Sequence, residues 1–216
     1  MIRRTLILLS LLVLTISIVL AAEPTVEKQE IVVPEVVGEA IRAAVGSQAL
    51  VVSAGEAEIA NIWLRGELQS AGNPSTELGV SFGSIEAGSL VGVIQILGQW
   101  SDYKMNPIPA GTYTLRYGVM PADGNHMGVS TYRDFLMLID PSADTDPASA
   151  LDMVELLTGS SQASGVPHPA VLALFPIWDD VSEPVIVKND MDQWTLAVKL
   201  GDKVLGLVVE GHGEIH

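Results

Sequence analysis

"GTYTLRYGV", residues 111–119, is the stretch that decides the fold class. Tyr113, Leu115, Tyr117 and Val119 alternate with Thr112, Thr114 and Arg116. That is the period of two at which a strand sends successive side chains to opposite faces. On its C-terminal side, "MPADGNHMGVSTYRDF" (120–135) is a polar connection leading into a second strand, "TYRDFLMLID". On its N-terminal side, "SLVGVIQILG" (89–98) is a near-continuous apolar strand, and residues 69–89 are rich in Gly, Ser, Asn and Pro and read as loop.

Further out the pattern repeats. "SQALVVS" and "AEIANIWLRGEL" are strands, the second with Ile59, Asn61, Trp63 and Arg65 opposite Ala60, Ile62 and Leu64. "PVIVK", "QWTLAVKL" and "KVLGLVVEG" follow late in the chain, the last two as a hairpin turning at Gly201-Asp202. Two helices interrupt the series. "PEVVGEAIRAAVG" places Val37, Ile41, Ala44 and Val45 at helical spacing before Gly46. Around 146–159, Asp146 is a cap, Pro147 suits the first turn, and Ala150, Leu151, Val154 and Leu157 form a stripe ending near Gly159. Short strands punctuated by Gly and Pro predict a mainly β protein: a single antiparallel β-sandwich with one or two short covering helices. The regular strand–helix alternation of a Rossmann or TIM fold is missing.

Residues 1–22 are read as a signal peptide: Arg3 and Arg4, an apolar run from Leu6 to Leu20, then Ala21-Ala22. Residues 23–34 read as a polar lead-in and 35–216 as the sandwich domain. The expectation is an exported protein, periplasmic or secreted, with no stable membrane insertion once the signal is cleaved. Without 1–22 the chain keeps nine basic against 26 acidic residues, a formal charge of −17. A surface so negative disfavours nucleic acid. There is no Cys, which excludes thiolate nucleophiles and Cys-ligated metal centres.

The connection at 120–134 carries the most chemistry. Asp123, His126, Arg133 and Asp134 make it the leading candidate for ligand binding, because conspicuous polar loops on rigid scaffolds often bind. The competing reading is a charge-pinned structural loop with Asp123 as the partner of Arg133, since buried charges are paired. A second constellation is "EGHGEIH" (210–216), where Glu210, His212, Glu214 and His216 alternate. His212, Glu214 and His216 are candidate metal ligands if the chain bends at its glycines. No cofactor is firmly implied, and a divalent metal is the one to consider. Asp140, Asp144 and Asp146, and Asp190 and Asp192, could offer oxygens to calcium, although neither run has an EF-hand loop's pattern. "GVSFG" (79–83) matches a serine-hydrolase elbow in letters, but not in its loop-like surroundings. His168, between prolines in "SGVPHPAV", reads as part of a rigid loop, and the four Trp as core or edge residues.

"IPAGTYTLRYGVMPADGNHMGVSTYRDFLML", with "EIANIWLRGEL" and "WTLAVKLGDKVLGLVVEGHGE" flanking it, resembles a group of uncharacterised exported bacterial proteins. The resemblance implies export and a β-rich fold, and no activity. Two functional classes are therefore carried forward. One is a cell-envelope binding or assembly module taking a small molecule or an envelope protein at 120–134. The other is a hydrolase, metal-assisted or not, using an Asp/His pair in that loop.

Overall fold

The computed structural model describes residues 23–102, 106–123, 130, 132–165 and 167–210. It is mainly β, with two helices, one large antiparallel sheet nearly closed into a barrel, and a small second sheet. The elements are β1 (Pro24–Glu30), α1 (Glu39–Val45), β2 (Gln48–Ala54), β3 (Ala57–Leu64), β4 (Leu90–Ile96), β5 (Trp100–Ser101), β6 (Pro107–Ile108), β7 (Gly111–Val119), β8 (Asp134–Ile139), α2 (Met153–Ser164), β9 (Val171–Pro176), β10 (Val185–Lys188), β11 (Trp194–Leu200) and β12 (Lys203–Glu210). The ten-stranded sheet runs β1-β2-β3-β4-β7-β8-β9-β12-β11-β10, and β5 pairs with β6. Both faces expected of a sandwich come from this single sheet curling on itself.

The alternation read from the sequence sets the inside and the outside. Tyr113, Leu115 and Tyr117 point into the barrel with Ile62, Ile94, Leu136, Leu174, Leu196 and Leu207. Phe82 and Ile85, from the 65–89 loop, enter at the end where β7 gives way to β8, and Trp100 and Ile108 enter at the end where β4 gives way to β7. β1 and β10 are the two edges of the sheet. Val26 and Ile186 of these edges pack on the same interior core, and Lys28 pairs with Glu183 just before β10.

Three covers shield the outer face. α1 and the turn before it lay Val37, Ile41 and Val45 on Trp63, Leu90 and Val93, and the Trp63 indole N–H donates to the Ile31 carbonyl at 2.8 Å. α2 packs Leu156 against Phe135, Met137 and Ile139. Between them, the 140–152 arm crosses β7. There Arg116, fully buried, uses all five N–H donors of its guanidinium: Nε and Nη2 to the Asp144 carboxylate, Nη2 to Asp146 O, and Nη1 to Gly88 O and Ser149 O. Thr114 Oγ1 donates to the same carboxylate.

Two elements differ from expectation. Pro24–Glu30, read as a lead-in, is a strand paired with β2 along its whole length. It buries Pro24, shows Val26 to the core and exposes Glu27, Gln29 and Glu30, so its alternation is hidden under polar residues. The second helix runs Met153–Ser164 with Gly165 as its C-cap, and does not start near Pro147 or stop near Gly159. Asp152 is the cap: its carboxylate accepts from the Val154 and Glu155 N–H groups, while Glu155 returns a bond to the Asp152 N–H. This reciprocal capping box satisfies more orphan donors than Asp146 could alone. Asp146 instead turns the arm by accepting from Ala148 N. Residues 1–22, read as an export signal, lie outside the described residues.

Candidate functional site

The 120–134 connection joins β7 to β8, whose register sets Val119 opposite Asp134. Asp134 is an inward residue at the start of β8, 1 % exposed. Its carboxylate accepts from Ser81 N at 2.7 Å, Phe82 N at 3.1 Å and Tyr117 Oη at 2.6 Å. Burial, this hydrogen bond and the carboxylate's charge together push the Tyr117 phenol far above its ordinary range. The chemistry of Asp134 is therefore to hold the 79–83 loop, and Phe82 with it, in the end of the barrel. "GVSFG" is that held loop, with neither the strand before it nor the helix after it that a nucleophile elbow requires.

Arg133 faces outward. Its Nε donates to Met120 O at 2.7 Å, and its Nη1 donates to Glu77 at 2.7 Å and to Leu78 O at 3.3 Å. Glu77, 56 residues away in sequence, is a carboxylate that neutralises it. Asp123 is exposed at the edge of the connection. His126 lies outside the described residues, as do His212, Glu214 and His216. Among the described residues no group of three or more His, Asp or Glu side chains is placed to hold a metal ion. The acidic runs have other duties. Asp144 serves Arg116 and Thr114, Asp140 accepts from Ser142, and Asp192 pairs with Lys188.

What the connection does build is one wall of a cleft. Met120, Pro121, Ser130 and Tyr132 face Met153 and Leu157 of α2 across a floor of Phe135, Met137 and Val171, enclosing about 150 Å³. An engineered cavity of roughly this volume holds benzene. The polar groups on the lining are few: Asp134, already saturated with donors, Ser130 and His168. His168 Nδ1 lies 2.8 Å from the Pro169 carbonyl and 3.9 Å from Asp102 Oδ2. A carbonyl only accepts, so Nδ1 carries a proton and donates it to Pro169 O.

The sequence pointed to this connection for its charges, whereas its contribution to the cleft is apolar. Met120 and Tyr132 flank the polar letters. The position of α2, which makes Met137 of the next strand a cleft floor, leaves no mark in the sequence. Set against protein-family models, curated proteins and solved structures, the chain matches none.

Proposed function

We propose that the protein is an exported binding module and that its ligand occupies the cleft between the 120–134 connection and α2. The observation that carries this reading is the lining. Three methionines, Phe135, Tyr132 and Leu157 surround a volume suited to one ring-sized apolar group. Methionine adapts its shape at little cost and suits a binding surface better than a unique core. The ligand is a small molecule carrying such a group, or the apolar side chain of an envelope protein, with His168 as the polar group that orients it.

The hydrolase alternative loses ground on Asp134, because a carboxylate already accepting from three donors at 1 % exposure is a poor general base. Fluorine NMR of fluorobenzene titrated with the protein tests the binding reading. Line broadening is expected with the wild type. It should vanish with Leu157→Arg, a substitution at a residue 41 % exposed that blocks the cleft without entering the core. Equal broadening for both proteins, or none for either, rejects the reading.

A further inference from the structure

The chain leaves β9 at Pro176 but next enters the sheet at β10, two strands beyond the neighbour of β9. The 177–184 segment must therefore cross the outer face of β12 and β11. It does so over Gly206, where an added Cβ would stand 2.9 Å from Ile177 Cδ1. Between this crossing and the turn at 189–193 lies a cavity of about 380 Å³. Its volume falls within the roughly 300–1,000 Å³ typical of small-molecule sites.

Its walls combine two chemistries. Tyr132, Phe175 and Trp178 are aromatic, and Asp179 and Asp190 bring carboxylates. Tyr132 and Phe175 meet edge to face at 5.2 Å, a fixed pair, while the Trp178 ring is 86 % exposed. An indole so exposed gains little for the fold. Of the four aspartates at this corner, Asp180 pairs with Lys199 and Asp192 with Lys188. Asp179 and Asp190, the two that line the cavity, have no ion-pair partner among the described residues. The ammonium of Lys188, also on the lining, is already taken up by Asp192 and by the Trp194 ring, 5.0 Å from its centroid. The turn carrying Asp190 is rigid. Asn189 Oδ1 accepts from the N–H groups of Met191 and Gln193, and Asn189 Nδ2 donates to Gln193 Oε1.

We infer that this cavity binds an organic cation of the quaternary ammonium class. Such a group donates no hydrogen bonds and is weakly hydrated, so aromatic faces and nearby unneutralised carboxylates are what recognise it. An anion would meet Asp179, Asp190 and a chain of formal charge −15. A calcium ion would find two carboxylates where it needs about six to eight oxygens. The inference stands apart from the cleft, with which the cavity shares Tyr132 as a wall.

The test compares choline with 3,3-dimethylbutan-1-ol, its uncharged isostere, by titration calorimetry and saturation-transfer NMR on the whole protein. Choline is expected to bind at least about tenfold more tightly than the alcohol, and Trp178→Ala and Asp190→Asn should each weaken it by about tenfold, the scale of one partly desolvated cation–π contact. Both positions are exposed, so the variants should keep the wild-type thermal melt. Equal affinity for the isostere, no choline binding at millimolar concentration, or unchanged binding in both variants overturns the inference. Sedimentation with phosphatidylcholine vesicles separates the two sources of the group: pelleting that choline competes away assigns a lipid headgroup, and choline binding without pelleting assigns a free solute.

Discussion

Arg116 shows how much one side chain can organise. It sits on the outward face of an alternating strand, where water is the ordinary destination, yet it is fully buried because the 140–152 arm folds over it. Removing one partner of a buried pair strands the other charge, so Asp144→Ala should cost about 3–5 kcal/mol, read as a lower urea midpoint at pH 7. The arm also depends on Gly88, whose φ of 84° and whose missing Cβ (1.9 Å from Leu151 O if present) leave room for no other residue. Tyr117 gives a pH signature. Its folded-state pKa is raised above the ordinary 10.0, so its contribution to stability is complete below pH 10 and is lost as the pH rises further. Between pH 10 and 11 the unfolding free energy should therefore fall more steeply in wild type than in Tyr117→Phe, the difference in slope approaching about 1.4 kcal/mol per pH unit. Equal slopes would mean that the phenol is not held in its neutral form. That Asp134 and Arg133 need partners was legible in the sequence. Which partners they take was not, because Ser81 and Glu77 are brought to them by a loop more than fifty residues upstream.

At the scale of elements, the sequence spoke clearly where one face is apolar and the other polar. β7 and α1 have the faces that their spacing predicts, and Gly46 ends α1 with a φ of 74°. It misled where two start signals compete. Asp146-Pro147 and Asp152-x-x-Glu155 are both N-terminal signatures, and the second prevails through its reciprocal bonds. Asp152→Ala should lower stability by about 1 kcal/mol and raise amide exchange in the first turn of α2. Because that turn carries Met153 and leads into Leu157, fluorobenzene binding should weaken in the same variant. The crossing at 177–184 is likewise a single device. Gly206→Val would press on the Phe175 carbonyl and on Ile177 at the start of the crossing, so choline affinity should fall.

For the molecule as a whole, composition and periodicity were enough for a mainly antiparallel β architecture. They could not say whether the two faces of the core belong to two sheets or to one, since a residue's inward direction is the same in either. Strand order was equally hidden: hairpin neighbours are legible, but the jump from β9 to the far edge leaves no mark on the local pattern. β1 and β10 each have a ladder on one side only. Hydrogen exchange should therefore be fastest among the strands in these two and slowest in β4, β7 and β8, which are buried and paired on both sides. Protection of β1 equal to that of β7 would mean that the seam is hydrogen-bonded shut.

The same strand order has a consequence in time. β12 lies between β9 and β11, yet it follows both in the chain. A polypeptide made or threaded from its first residue presents β10 and β11 while nothing yet joins them to β9, and it gains the connecting strand only when Lys203–Glu210 arrives. Closure also brings Lys28 to Glu183 across 155 residues of sequence, a contact of the most slowly formed kind. The barrel therefore cannot finish early. Until its last strand is delivered, β9 and β11 stay unjoined and the chain stays open.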